Sequence, residues 1–341
     1  MTAGADPILV FRLSALGDVI HTLPAVMLLR QAVGEERSIG WVVEAPYRDL
    51  LEQVAPVDLV IATATKRWRR DWSSSVTRAE ISLMREEMRH FSRRGTSIDF
   101  QGLLKSAALA WLSGATTRIG FDRRSAREGV SALLNNRRVP ASDAEHVVEK
   151  NIRLLSALGI EHHGPAPALD WSGYPRDRDG TLALVSDRAT AILFPGAGRP
   201  EKLWGAESFA IVAKEIRSRF GIRSVVVWGP GERELAAEVV ARSETAELAP
   251  ATNLRELAWI LRHARLVVAG DTGPLHLADA LGTDVVGIYG PTDPVRNGPY
   301  HQVERCVESW STTRDIRSVS PEAVLTRIGE VLTRDPGSLR K

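Results

Sequence analysis

VVAGDTGPLHLADALG (267–282) decides the reading of this chain: an apolar run ends in Gly270-Asp271-Thr272-Gly273, and Pro274 follows where a helix would begin. A short apolar run closed by a tight glycine turn and a helix start is the strand-to-helix unit of a parallel α/β sheet. Proline suits the first turn of a helix, where a backbone N–H has no partner to lose. Thr272 or Gly273 is expected to cap that helix, which would turn its N–H groups and positive dipole end beyond the strand ends.

The same unit recurs outward in both directions. AILFPG (191–196), RSVVVWG (223–229), AELAP (246–250) and DVVGIYG (284–290) surround it, and the first half carries ILVFRL (8–13), SIGWVVE (38–44), DLVIAT (58–63) and SIDFQG (97–102). Amphipathic stretches at 22–33 and 103–113 alternate with these runs; 75–92 reads as an inserted helix and PEAVLTRIGEVLT (321–333) as a final one. Alternation of this kind predicts two Rossmann-like, doubly wound α/β domains whose strand ends face each other across a cleft. A length of 341 residues also exceeds what one core usually organises. The polar passage HHGPAPALDWSGYPRDRDG (162–180) is the expected linker, giving domains at 1–170 and 171–320 and a C-terminal helix and tail at 321–341.

Composition narrows the function class. The hydrophobic share of 44% and charged share of 25% are those of an ordinary globular protein. A single cysteine, Cys306, excludes a disulfide framework and a multi-cysteine metal site, and a cytoplasmic location is expected. MTAGADPILVFRL shows no basic region leading into a long apolar one, so neither secretion nor membrane spanning is expected. The net charge of +2 is unevenly spread: Lys66 to Arg138 holds 16 Lys and Arg against 7 Asp and Glu, a local +9. Such a stretch points to an anionic partner or to a solvated, arginine-rich surface. Its core, KRWRRDW (66–72), interleaves basic and aromatic residues, but confinement to one loop favours a small anionic acceptor over nucleic acid. His162-His163 are adjacent rather than at a ligand spacing, and Asp177-Arg178-Asp179 has no apolar strand before it, so no metal and no cofactor are expected.

Four loops carry the chemistry. SALGDVIHTLP (14–24) places Asp18 where the chain enters a helix, as a cap or as a base; Pro24 suggests a regular helix starting near Thr22, which frees Asp18. The loop lacks the GxGxxG spacing of a dinucleotide site. FPGAGRPEKLW (194–204) sets Gly196 and Ala197 where backbone N–H groups can approach an anion, with Lys202 close behind, although it is not a P-loop. The turn at Asp271, Thr272, Gly273, Pro274, Leu275 and His276 suits a diphosphate. Glu232, just past a strand in VVVWGPGERE (225–234), is placed either to accept from ribose hydroxyls or to sit in a helix's first turn.

With these residues stated, the chain resembles the lipopolysaccharide heptosyltransferases, the first heptosyltransferase in particular. The resemblance runs through SALGDVIHTLPA (14–25), WVVEAPY (41–47), KRWRRDW (66–72), DFQGLLKSAALA (99–110), SAREG (125–129), EKLW (201–204), WGPGERE (228–234), DTGPLHLADAL (271–281) and YGPTDP (289–294). It implies a GT-B fold and metal-independent, inverting transfer of heptose from ADP-heptose to a Kdo sugar of the lipopolysaccharide inner core. By position it implies Asp18 as base, Lys202 at the donor phosphates, Glu232 at the ribose, and the 271–276 loop at the diphosphate. Lys66, Arg67, Arg69, Arg70 and Arg127 would bind the acidic acceptor, a Kdo-lipid A type molecule, with peripheral contact at the cytoplasmic face of the inner membrane. The alternatives are a non-catalytic binding protein for nucleotide sugars or anionic glycans, and a related transferase with another donor sugar.

Overall fold

The computed structural model describes residues 6–167, 169, 171 and 189–333. The Asp177-Arg178-Asp179 string and the tail beyond 333 lie outside the described residues. The chain divides into two compact units, Met1–Asp170 and Trp171–Lys341.

The first unit is built on six strands: β1 (Ile8–Phe11), β2 (Ile39–Glu44), β3 (Leu59–Thr63), β4 (Thr96–Asp99), β5 (Thr117–Phe121) and β6 (Arg137–Val139). Around them run α1 (Leu16–Ile20), α2 (Leu23–Val33), α3 (Arg48–Val54), α4 (Thr65–Arg70), α5 (Ser75–Ser92), α6 (Leu104–Leu112) and α7 (Val147–Arg153). The sheet is parallel, in the order β3-β2-β1-β4-β5-β6. Val10 of β1 is paired with Trp41 on one side and Ile98 on the other, and all four β1 residues are buried. That explains an unbroken apolar run where a sheet with one face in solvent would alternate. The order reverses between β1 and β4, so the loops after these two strands diverge and leave room for a site.

The second unit repeats the plan with β7 (Thr190–Phe194), β8 (Arg223–Val226), β9 (Ala246–Leu248), β10 (Leu266–Gly270), β11 (Val285–Tyr289) and β12 (Cys306–Glu308). Its helices are α8 (Ala206–Phe220), α9 (Arg233–Ser243), α10 (Leu254–His263), α11 (Gly273–Ala280), α12 (Pro294–Asn297) and α13 (Pro321–Thr333). The parallel order β12-β11-β10-β7-β8-β9 puts the reversal between β7 and β10. Among the described residues no helix is long and apolar enough to cross a membrane.

Strands β5, β6 and β12 escape a reading by apolar runs. TRIGF, RRV and CVE carry charged residues at or beside their ends, and two of the three are three-residue edge strands with one partner each. The stretch 75–92 is no insertion: α5 is the crossover from β3 to β4, capped by Ser74, whose hydroxyl accepts from the Val76 N–H at 3.2 Å. Pro274 is the second residue of α11, and Gly273 the first.

Helix α13 closes the second core. Val324, Leu325, Ile328 and Val331 are buried together with Phe209, Val212 and Ile216 of α8 and with Val286 and Ile288 of β11. Ile328→Ala would remove a wholly buried side chain from this cluster, and it should lower the unfolding free energy by about 2–5 kcal/mol in a urea titration. A loss below that range would mean that α13 is dispensable to the unit.

Candidate active site

In the first unit the chain leaves β1 through Arg12 and Leu13 and turns at once into the single-turn helix α1, with Asp18 its third residue. The second helix starts at Leu23 with Thr22 in the capping position, so Asp18 stands in a turn of its own. Both of its carboxylate oxygens are engaged there. Oδ2 accepts from the Ala15 N–H at 3.2 Å, a local cap, while Oδ1 faces the Arg12 guanidinium at 3.2 Å. The Asp18 side chain is still 29% exposed, whereas that of Arg12 is 6% exposed.

Arg12 reaches three groups from its buried position. Nη2 holds Asp18 Oδ1, Nε donates to the Asp18 carbonyl at 3.2 Å, and Nη1 donates to the carbonyl of Phe100 beyond β4. Gln101 adds a second tie between the same loops: Oε1 accepts from the Leu13 and Ser14 N–H groups, at 2.8 and 3.2 Å, and Nε2 donates to the Ser14 carbonyl at 2.7 Å. The two diverging loops are thereby locked to one another, which fixes where Asp18 points. Tyr47 stands against the Leu16 backbone, and its hydroxyl is held above its usual range by burial and by Glu44 and Asp18 nearby.

Of the five expected acceptor cations, Arg127 is brought to Asp18, with Nη1 3.9 Å from Oδ2. It sits in a turn after β5, where Asp122 Oδ1 accepts from the Arg124 and Ser125 N–H groups and the buried Lys150 ammonium donates to the Ser125 carbonyl at 2.7 Å. Lys66, Arg67, Arg69 and Arg70 share α4, after β3, and all four are exposed. Arg67 pairs with Glu80, and the indole N–H of Trp68 donates to the same carboxylate at 2.7 Å. Trp68 itself is buried against the sheet.

In the second unit the site forms at the other sheet reversal. Lys202, after β7, makes an ion pair with Asp271, after β10. The same carboxylate oxygen accepts from the Thr292 hydroxyl at 2.8 Å, and Oδ1 lies 3.2 Å from His276 Nε2. Burial alone would raise this carboxyl, but His276 and Lys202 outweigh it and hold Asp271 well below the usual carboxylate range. Pro274, Leu275 and His276 are buried, and the N–H groups of Leu275 and His276 turn back onto the Thr272 carbonyl. Thr272 and Gly273 therefore stand foremost at the start of α11. Glu232 occupies the cap position of α9, and its Oε2 accepts from the Gly229 N–H at 2.9 Å. Its carboxylate lies where a Cβ on Gly196 would be, so that glycine makes room for an acid; Ala197 is next to it in the same loop. Among the described residues no group of three or more His, Cys, Asp or Glu is placed to hold a metal ion.

The model of glycosyltransferase family 9 (heptosyltransferase) matches residues 93–323. The chain belongs to this family. It is 30% identical over 326 residues to lipopolysaccharide heptosyltransferase 1 of Escherichia coli K12, covering 95% of this chain and 99% of the relative. The Pseudomonas aeruginosa PAO1 protein of that name is 34% identical over 302 residues, covering 86% of this chain and 81% of its own. Among solved structures, E. coli heptosyltransferase WaaC with ADP superposes with a TM-score of 0.80 at 29% identity, covering 95% of this chain and 99% of the other. The protein is thus a glycosyltransferase with the GT-B fold, and the non-catalytic alternative falls away. The family 9 resemblance in the sequence is confirmed.

Reading the sequence did not single out Arg12, Asp99, Gln101 or Thr292. A signal existed for two of them: an arginine directly closing the apolar run ILVF, and an aspartate closing SID. Asp99 is wholly buried; its Oδ1 accepts from the Gln101 and Gly102 N–H groups at 3.0 and 3.2 Å, and burial pushes its carboxyl up to about 6. A folded-state value above the unfolded one means stability that is present at low pH and lost as pH rises through about 6. The wild type should therefore lose on the order of 1–3 kcal/mol between about pH 4 and 6 from this group. Asp99→Asn, which keeps the acceptor oxygen and removes the charge, should not show that loss in urea titrations across the range. An Asn variant less stable than wild type at pH 8 would contradict this.

Proposed function

We propose that this glycosyltransferase moves heptose from ADP-heptose onto a Kdo sugar of the lipopolysaccharide inner core, inverting the anomeric centre without a metal ion or cofactor. The observation that carries the reading is Asp18: a carboxylate locked in place by Arg12 and the Ala15 N–H, partly open to solvent, and beside the cationic Arg127. A base for this reaction must be fixed in direction yet reachable by an incoming hydroxyl, and this side chain meets both needs. The donor assignment is supported by the solved relatives, E. coli WaaC with ADP and with ADP-2-deoxy-2-fluoro heptose.

In the proposed step an acceptor hydroxyl oxygen attacks the anomeric carbon as Asp18 takes its proton. The bond from that carbon to the diphosphate oxygen breaks, and ADP leaves with the electron pair. Negative charge grows on the leaving group, where Lys202 and the amides of Thr272 and Gly273 stabilise it more than they stabilise the bound donor. Asp271, itself held by His276 and Thr292, keeps Lys202 in position for this; Glu232, with Gly196 and Ala197 beside it, takes the ribose. An acidic, lipid-linked acceptor is supported by the +9 of the 66–138 stretch and by the exposed Lys66, Arg69, Arg70 and Arg127. Arg67 takes part while keeping α4 anchored through Glu80. The same charge supports a peripheral place at the cytoplasmic face of the inner membrane, with no nucleic-acid partner.

The test is ADP release from ADP-heptose with and without Kdo-bearing lipid A. Acceptor-dependent release is expected; turnover of a different nucleotide sugar, with silence toward ADP-heptose, would overturn the substrate. Asp18→Asn should lower kcat by about 10²- to 10⁴-fold with ADP affinity unchanged, and a fully active variant would remove Asp18 from the role. Gly196→Ala should displace the Glu232 carboxylate, weakening ADP binding by about tenfold, the worth of one lost charged hydrogen bond, with little change in the thermal midpoint. Unchanged ADP affinity would sever Glu232 from the nucleotide.

A further inference from the structure

Helices α4, α5 and α6 form one layer on one face of the first sheet. Trp68 of α4, Met84 and Met88 of α5 and Ala110 of α6 are buried in a single cluster with Leu9, Phe11, Val42 and Ile61 of the strands. Hydrogen bonds join α5 to the end of α6: Arg89 Nε donates to the Leu112 carbonyl and the Ser92 hydroxyl to that of Ser113, both at 3.2 Å. The 3-10 turn 129–134 packs beside α6, and the Leu104 N–H that opens α6 donates to Glu128 Oε2 at 2.7 Å.

The outward side of this layer carries apolar side chains among its charged ones. Among the described residues nine large hydrophobic side chains are exposed, and seven of them fall here. Trp72, at 73%, and Val76 and Leu83, two turns apart on α5, cover one part. Leu104 and Trp111 on α6, the latter at 55%, with Val130 and Leu133 one turn apart on the 3-10 turn, cover the other. Among the described residues of the second unit the exposed large hydrophobic side chains are Ile211 and Val295. Exposed apolar groups concentrated on one layer mark an interaction surface.

Charge identifies the partner. Lys66, Arg69, Arg70, Arg85 and Lys105 are exposed on the same helices, within the stretch whose net charge is +9. Of its seven carboxylates, Asp99 is buried, and Glu80, Asp122 and Glu128 are engaged internally; Asp71 beside Trp72, and Glu86 and Glu87 on α5, are exposed and outnumbered by the cations. Tryptophan on a basic, partly apolar face suits the boundary between lipid headgroups and acyl chains, where the ring is buried and the cations meet anionic headgroups. Arg127, at 3.9 Å from Asp18, is three residues before Val130, so this surface runs up to the base.

We infer that the α4–α5–α6 layer with the 129–134 turn is a bilayer-docking face that binds anionic lipid headgroups, with Trp72 and Trp111 as its anchors. This deepens the proposed function, resting on the lipid-linked acceptor only for its purpose.

The full chain would be floated with phosphatidylcholine vesicles with and without phosphatidylglycerol. Wild type is expected on the anionic vesicles and to be released by salt. Trp72→Ser with Trp111→Ser should lower partitioning on the order of tenfold, while Ile211→Ser with Val295→Ser in the second unit should not. Turnover of a delipidated, Kdo-bearing acceptor should be equal in all three, showing that each is folded. Undiminished flotation of the tryptophan variant overturns the proposal. So does a wild-type dimer that this variant makes monomeric, since the face would then belong to a second copy. Flotation is read without a donor, so failure of the heptose assignment leaves the result standing.

Discussion

Pairing β1 on both edges, and β7 likewise, is the constraint from which the two sites follow. A parallel strand enclosed by two neighbours and covered on both faces has little room for a charged side chain. Along the central strands β1, β4, β7 and β10 the one charged residue is Asp99, at the end of β4. At β1/β4 and β7/β10 successive loops leave in opposite directions, and the resulting gap is filled in one unit by Arg12, Asp18 and Gln101, in the other by Lys202 and Asp271.

The two gaps hold their charges in opposite ways. In the first unit the cation is buried and the carboxylate stands partly in solvent; Arg12 spends its donors on backbone and on Asp18, leaving Asp18 oxygens accessible. In the second the carboxylate is buried, with Lys202, Thr292 and His276 around it. In the proposed function an uncompensated acid at this place would repel the donor diphosphate. Ringed by donors, Asp271 instead becomes a fixed point that orients a lysine. An accessible, directed carboxylate suits proton transfer, and a compensated one suits positioning.

The distribution of surface chemistry follows the same division. The first unit collects both the excess positive charge and most of the exposed apolar side chains among the described residues, on helices whose inner faces hold its sheet together. Trp68 and Trp72 show how local this sorting is: four residues apart in KRWRRDW, one is buried with its indole on Glu80 and the other stands in solvent.

Alternation of apolar runs with amphipathic stretches was enough to determine a pair of parallel α/β units, because burial on both faces writes strands as continuous apolar segments. Glycine turns followed by helix starts marked the loops at 14–24, 194–204 and 271–276 for a local reason too, since a chain leaving a buried strand needs a tight turn. Strands β5, β6 and β12 stayed hidden because arginine or glutamate at their ends masks a signal made only of hydrophobicity. Partnership was decided by the tertiary structure alone. That Arg12 and Gln101 hold the Asp18 loop, that Glu232 fills the space Gly196 leaves, and that Asp271 faces Lys202 depend on residues 36 to 88 apart in the chain being brought together by hydrogen-bonded strands or by loops meeting across them. Sequence spacing holds no record of such meetings, because the distance between two loop ends is set by strand order and not by the length of chain between them.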